Sequence, residues 1–208
     1  MNSFETDLKR AVVSWGFGIG LVSELAILLI SGFDSDIFRM CVPVLCTFPY
    51  TTAWLEDYES GFLKACLPRT SVNSYIMGKL LACGISGGLL ETLGCQIFLI
   101  VKNDEKLNIS LGLIFMSGML WAVVSAVLAA ASNSRYSAYG GSFVIYYFLV
   151  ILHERYFKWM YCLYPYEWLA PEHTWIFDES GVILLVGGIC MVFGCLYYII
   201  LWRCIKNV

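Results

Sequence analysis

The sequence predicts an all-α membrane protein with six transmembrane helices. Of its 208 residues, 59% are hydrophobic and 14% are charged, whereas a typical soluble domain is roughly a quarter charged. The apolar residues form six stretches separated by short polar segments. A helix needs about 20 apolar residues to cross the hydrocarbon core of a bilayer. Stretches of this length are therefore interpreted as membrane-spanning helices of one transmembrane domain, residues 1–208.

The six predicted spans differ in how clearly the sequence marks them. The fourth and sixth contain no charged residue, and the first is longer than the core of a cleaved signal peptide. The second contains Pro43 and Pro49, which predict a kink, and the fifth is short and rich in Tyr. The spans cover residues of about 11–31, 37–55, 75–101, 107–131, 136–152 and 181–202.

The distribution of basic residues predicts the orientation of these spans. With the amino terminus inside, eight Lys and Arg residues lie on the cytoplasmic side and five on the outer side. Cytoplasmic loops carry the excess of basic residues in membrane proteins. We therefore expect both termini in the cytoplasm and an acidic outer face.

Several classes of function find no support in the sequence. The net charge is −3 without a basic patch, which argues against a nucleic-acid partner. The nine cysteines contain no C-x-x-C pair and are interpreted as small apolar residues rather than metal ligands. No phosphate-binding G-x-x-x-x-G-K-[ST] loop is present, so ATP hydrolysis of that type is not expected on this chain.

An elbow at residues 56–72 connects the second and third predicted spans. It begins with the acids Glu56, Asp57 and Glu59, continues as a short amphipathic piece up to Pro68, and ends in a Ser/Thr/Asn cluster that can cap the next helix. Such a segment can present a short helix to a cytoplasmic partner. A solvated loop that is acidic by chance is the alternative.

The order of residues across this elbow resembles the membrane subunits of ABC-2 type transporters. The shared order is an acid pair, Gly61, apolar residues, then Pro68, Arg69 and a Gly–Lys pair that opens a membrane helix. The resemblance is specific over residues 54–81 and otherwise concerns layout. Phe62 stands where the family commonly has Thr.

This resemblance implies a type V exporter-like half-transporter of the plasma membrane. A coupling helix between spans two and three would dock on a separate ABC ATP-binding subunit, which holds ATP and Mg²⁺. No catalytic residue, metal or cofactor is then expected here, while a second copy or a sister permease completes the path. The segment 153–180 resembles the family's outer re-entrant hairpin. The implied coupling residues are Glu56, Asp57, Tyr58, Glu59, Gly61, Phe62, Pro68 and Arg69.

Two acids lie deep inside predicted spans, Glu24 in the first and Glu91 in the third. A charge at that depth costs about 2.5–3.5 kcal/mol on insertion scales, so it usually faces a cavity, a partner or the bundle interior. With Gln96 they are candidates for the translocation path of an exported peptide, antibiotic or lipid-like molecule. The alternative is that each acid is protonated, or bonded to a neighbouring helix, without a role in transport.

Two further classes of membrane protein stay open as alternatives. One is a stand-alone six-span protein such as an intramembrane enzyme, because Gly84-x-Ser86-Gly87 matches the motif of rhomboid proteases. The two histidines that could serve as base, His153 and His173, lie at or beyond the outer end of span five. The other is the substrate-capturing subunit of an uptake transporter, which would have no coupling elbow.

Overall fold

The computed structural model describes residues 3–66, 70–102, 110–171, 173–175 and 177–206, and every regular element in these ranges is helical. A short 3-10 helix, Tyr161–Leu163, lies between the eighth and ninth α-helices. The α-helices are α1 (Ser3–Val12), α2 (Trp15–Ser31), α3 (Asp36–Leu45), α4 (Ala53–Glu59), α5 (Phe62–Cys66), α6 (Val72–Lys102), α7 (Leu111–Ser132), α8 (Arg135–Arg155), α9 (Pro165–Leu169) and α10 (Asp178–Lys206).

The prediction of an all-α chain with apolar spanning helices is confirmed, but six unbroken spans are not found. Among the described residues, α6, α7, α8 and α10 are long and apolar enough to cross a membrane. A fifth crossing results if α1 and α2, which meet at 47°, are taken together. Helix α2 alone has 17 residues, which is at the lower limit for a span of about 17–25 residues.

The second predicted span, 37–55, is broken rather than kinked. Helix α3 ends at Leu45, and a series of turns leads to α4. Pro49 lacks a backbone N–H and disfavours helical geometry at the residue before it. Two threonines hold the turns: Thr47 donates a 2.6 Å hydrogen bond to the Val44 carbonyl, and Thr51 donates one of 2.5 Å to the Thr47 carbonyl.

Ser14 fixes the bend between α1 and α2. Its hydroxyl accepts a hydrogen bond from the backbone N–H of Phe17, which caps the amino terminus of α2. The same hydroxyl lies 2.7 Å from the Ala11 carbonyl and 3.2 Å from the Pro49 carbonyl. The bend is thus tied to the turns that separate α3 from α4.

Helix α7 lies at the centre of the bundle, and small residues bring α6 close to it. A Cβ atom built at Gly84 would lie 3.1 Å from Met119, and one built at Gly88 would lie 2.7 Å from the Phe115 carbonyl oxygen. The glycines of α6 therefore serve packing within the chain. On the outside, apolar side chains of α8 and α10 such as Met191 are exposed, as in a surface that contacts lipid.

The bundle has two distinct ends. At the first, here called the elbow end, α4 meets the start of α8 through Glu59 and Arg135, and the start of α6 meets the end of α10 through Asn73 and Tyr198. At the opposite hairpin end, the segment after α8 folds back so that Trp168 of α9 stacks on α7 with ring centroids 6.0 Å from Trp121. Helix α1, which begins the described part of the chain, and the end of α10 both lie beside the start of α6 at the elbow end.

Candidate functional site

A buried group of charged and phenolic side chains joins three helices at the elbow end. We call it the charge cluster, and it consists of Asp7, Tyr50, Asp57, Tyr75 and Lys79. The Lys79 side chain is 1% exposed. Its Nζ atom lies 2.7 Å from Asp57 Oδ2 and 3.5 Å from Asp7 Oδ1, and it donates a 2.9 Å hydrogen bond to the Tyr50 hydroxyl. One cation thus binds α6 to both α1 and α4.

The two tyrosines complete the cluster around that cation. Tyr50 donates a 2.5 Å hydrogen bond to Asp7, and Tyr75 donates one of 2.8 Å to Asp57. The Lys79 ammonium also lies 4.8 Å and 5.6 Å from the centroids of the Tyr50 and Tyr75 rings, a cation–π geometry. Every charge in the cluster therefore has an opposite charge and a hydrogen-bond donor or acceptor, which a buried ion pair requires to be tolerated.

The predicted coupling residues divide into buried and exposed sets. Asp57 is buried in the charge cluster, with Arg10 at its rim 3.5 Å away. Gly61 joins α4 to α5 with φ of 72°, a conformation that favours glycine. Pro68 and Arg69 lie outside the described residues. The exposed set, here called the elbow surface, consists of Glu56, Tyr58, Glu59 and Phe62.

The elbow surface combines aromatic and acidic groups at the edge of the bundle. Tyr58 and Phe62 are 47% and 48% exposed, although both rings would be more stable out of water. Glu59 pairs with Arg135 of α8 at 2.5 Å, with both side chains about half exposed. Aromatic residues are enriched at protein–protein interfaces, whereas Asp and Glu are depleted there, so it is the two rings that favour a contact with another protein.

A polar cavity of about 240 Å³ opens beside this surface. It lies between the α1–α2 bend and the start of α4, and its lining includes Arg10, Ser14, Phe48, Glu56 and Tyr139. Within it Glu56 accepts a 3.1 Å hydrogen bond from Thr52. The turns between α3 and α4 form one side of this cavity.

Glu24 and Glu91, the acids predicted to lie inside spans, are both completely buried. They lie on neighbouring helices, since Glu24 of α2 packs against Gly94, one turn beyond Glu91 on α6. Glu24 Oε1 accepts a long 3.9 Å hydrogen bond from the Cys95 thiol. Gln96 does not join them, because it is exposed on the other side of α6. The predicted set of three is therefore a pair.

The arrangement required by an intramembrane serine protease is not assembled in the described part of the chain. Ser86 is buried and donates its hydrogen bond to the Cys83 carbonyl at 3.0 Å. The ring of His153 stacks on Tyr164, and that of His173 lies 2.8 Å from Glu167, both at the hairpin end. The same described residues contain no cluster of His, Cys, Asp and Glu that could hold a metal ion.

The hairpin end is held by aromatic stacking around one buried acid. Glu167 is 2% exposed and accepts hydrogen bonds from the backbone N–H of His173 and from the Trp175 ring at 3.3 Å each. Burial, with a smaller contribution from the neighbouring Tyr166, raises the pKa of Tyr164 to about 12. With the stacking of His153 on Tyr164 and of His173 on Tyr161, these contacts make the segment a packed cap.

The charge cluster was not predicted from the sequence. Lys79 is the lysine of the Gly–Lys pair that resembles the family, and Asp7 was not among the predicted site residues. One signal was available: Tyr75 and Lys79 are one turn apart near the start of an apolar helix, where a cation requires a nearby carboxylate. The carboxylates that Lys79 requires are those of Asp57 and Asp7. No local sequence pattern indicates that one of them comes from α1.

Comparison with known proteins identified no relative of this chain. The chain matches no family model, and no curated protein or solved structure is significantly similar to it. What it does is therefore inferred from the elbow surface, the charge cluster and the buried acids.

Proposed function

We propose that the chain is the permease subunit of an ATP-driven ABC-2 type exporter, with the elbow surface as the docking site for a separate ATP-binding subunit. The observation that carries this proposal is the direct connection between that surface and the bundle. Tyr58 and Glu59 are exposed on α4. Asp57, the residue before them on the same helix, is buried and pairs with Lys79 of α6. A force applied to the elbow would reach α6 without passing through a flexible linker.

The chemistry of the elbow surface supports a protein partner rather than lipid. Glu56 and Glu59 are acidic, and an anionic membrane surface would repel them. An ATP-binding subunit that offers basic and apolar side chains would pair these acids and cover the Tyr58 and Phe62 rings. Binding and closure of ATP with Mg²⁺ on that subunit would then shift the elbow and the helices joined to it.

The remaining features of the exporter proposal follow from the family resemblance. A second copy or a sister permease would supply the other half of the path, in a plasma membrane with both termini in the cytoplasm. The described chain ends lie at the same end of the bundle, which is compatible with that orientation. The exported molecule would be a peptide, an antibiotic or a lipid-like compound.

Co-purification tests the docking step. The tagged chain is extracted from its native membrane in mild detergent, and associated proteins are identified by mass spectrometry. We expect an ATP-binding subunit to accompany the parent chain and to be lost from the Phe62→Arg variant, because a fixed cation would replace the central apolar contact. Tyr136→Arg is the matched control, since Tyr136 is an 89% exposed aromatic residue at the elbow end but outside the elbow surface.

Two results would contradict the proposal. An ATP-binding subunit that stays bound to Phe62→Arg as well as to Tyr136→Arg would place its docking site elsewhere. A parent chain that is purified alone, even after crosslinking at Phe62, would favour a stand-alone membrane protein. A complex in which the chain touches another membrane subunit, but not the ATP-binding subunit, would favour the substrate-capturing role.

A further inference from the structure

We infer that Glu24 and Glu91 form a proton-binding site inside the helical bundle, in which both carboxyl groups are neutral while the bundle is closed to water. The inference concerns the resting state of the chain. It requires only that α2 and α6 are embedded in a membrane and does not depend on the exporter proposal.

The position of the two acids gives the first argument. Glu24 lies near the middle of α2, nine residues from its start, or about 13 Å along the helix axis. Helices α2 and α6 run parallel, because Gly20 faces Leu90 and Glu24 faces Gly94, one turn further along each helix. Both carboxyl groups are therefore far from either end of the bundle.

The lack of polar partners gives the second argument. Both Glu91 carboxyl oxygens and Glu24 Oε2 are buried without a hydrogen-bond partner among the described residues. No Lys or Arg of the described ranges forms an ion pair with either acid. An ionised carboxylate left unpaired in an apolar interior costs several kcal/mol, whereas a proton bound to it removes most of that cost.

Among the described residues, no titratable side chain around the pair can supply a positive charge. The titratable neighbours of the pair are thiols, namely Cys95 on α6 and Cys41 and Cys46 on α3. Thiols are neutral near pH 7 and carry negative charge when they ionise. The like charges of the two acids would also repel each other if both ionised. Protonation is the remaining way to neutralise the site.

The backbone around the pair is shaped to hold two carboxyl groups. A Cβ atom built at Gly94 would overlap the Glu24 carboxyl group, and one built at Gly118 of α7 would lie 2.8 Å from Glu91 Cγ. Each acid thus occupies space that exists only because a facing residue lacks a side chain. The pair is thus enclosed by α2, α6 and α7, and water can reach it only if these helices separate.

This arrangement connects proton occupancy to the opening of the bundle. While the helices are closed, loss of a proton would leave an unpaired charge in an apolar environment. When α2 separates from α6 and water enters, an ordinary Glu with a pKa of about 4.3 releases its proton at neutral pH. An opening movement is therefore expected to release protons, and closure to take them up.

Infrared spectroscopy tests the resting protonation state directly. The purified chain is reconstituted in phosphatidylcholine vesicles, and the carbonyl stretch of neutral carboxylic acids is recorded at pH 7 in H₂O and D₂O. We expect a neutral-acid band that falls in Glu24→Gln and in Glu91→Gln and is lost in the double variant. The control Glu5→Gln, which changes an exposed acid of α1, is expected to leave the band unchanged.

A pH series provides a reading that packing alone would not change. In the parent chain, ionisation of one acid is expected to keep the proton on the other up to higher pH, so the last part of the neutral-acid band should disappear at lower pH in Glu91→Gln than in the parent chain. Absence of the neutral-acid band at pH 7, or its persistence in the double variant, would overturn the inference. So would a neutral-acid band whose last part disappears at the same pH in the parent chain and in Glu91→Gln. None of these measurements involves an ATP-binding subunit, so their result is independent of the docking experiment.

Discussion

Helix α6 buries two ionisable residues, Lys79 and Glu91, in two different environments. Near its start, Lys79 is surrounded by Asp7, Asp57 and two tyrosine hydroxyls. Twelve residues later, about 18 Å along the axis, Glu91 is equally buried but has no polar partner among the described residues. The same helix therefore carries one site that is satisfied by opposite charge and one that is not.

The difference shows what each site can do when the helices move. The charge cluster is held by short contacts between α1, α4 and α6, so it resists separation of these helices and transmits their displacement. The acid pair has no such contacts and is stable only while water is excluded and a proton is bound. The first site is suited to mechanical connection, and the second responds to access of water.

Replacement of Lys79 by Met tests the mechanical site and should have the largest effect. The apolar chain of Met fills the space but removes the buried ammonium group that lies between the Asp7 and Asp57 carboxylates. Loss of one partner from a buried ion pair costs about 3–5 kcal/mol. We expect a large fall in the thermal unfolding midpoint of the purified chain in detergent, or loss of folded protein on size-exclusion chromatography.

Two variants establish whether this loss arises from removal of the ammonium group from the two carboxylates. Lys9→Met removes an exposed cation from α1 and should leave the unfolding midpoint nearly unchanged. Addition of Asp7→Asn and Asp57→Asn to Lys79→Met should restore part of the stability, because neutral amides then replace the two carboxylates. A triple variant less stable than Lys79→Met would show that the tyrosines and carboxylates stabilise the cluster without the cation.

Replacement of Gly94 by Ala compresses the acid pair and should have an intermediate effect. The new Cβ atom would overlap the Glu24 carboxyl group, so α2 and α6 must separate or Glu24 must turn. Overpacking of this kind costs about 1–3 kcal/mol. Thermal unfolding of Gly188→Ala is the matched control, because a Cβ atom at that helical glycine of α10 meets no atom within 4 Å.

The combination of Gly94→Ala with Glu24→Ala separates steric overlap from general helix effects. Removal of the carboxyl group makes room for the new methyl group, so the double variant should be more stable than the sum of the single changes predicts. Strict additivity of the two changes would mean that Gly94 and Glu24 do not share this space.

Most of the helical layout follows from the sequence because it depends on local composition. The predicted spans 75–101 and 136–152 correspond closely to α6 and α8, since long apolar stretches between polar segments leave few alternatives. The span at 37–55 was wrong as a single helix. Its composition is apolar enough, but Pro49 and the hydrogen bonds of two threonines favour turns, and hydrophobicity does not record these local preferences.

The sites were predicted less well because they depend on contacts between distant residues. Glu24 and Glu91 were found since a charge inside an apolar stretch is visible in the sequence. Asp57 was assigned to partner docking, but pairing with Lys79 and with α1 removes it from the elbow surface. Only the packing of α1 against α6 decides this, and no pattern along the chain records it.

The isosteric changes Glu91→Gln and Asp57→Asn give the closest comparison of the two sites. Of the substitutions within the two sites, Glu91→Gln is expected to have the smallest effect on stability. If Glu91 is neutral in the resting chain, an amide of the same shape replaces a neutral group, and the stability should change by less than about 1 kcal/mol. Asp57 accepts bonds from Lys79 and Tyr75 as a carboxylate, so Asp57→Asn should cost about 1.5–3 kcal/mol. Thermal unfolding of both variants at pH 7 in one detergent measures the difference. Equal losses would mean that Glu91 is also held as a carboxylate, and the distinction between a paired site and a protonated site would then fail.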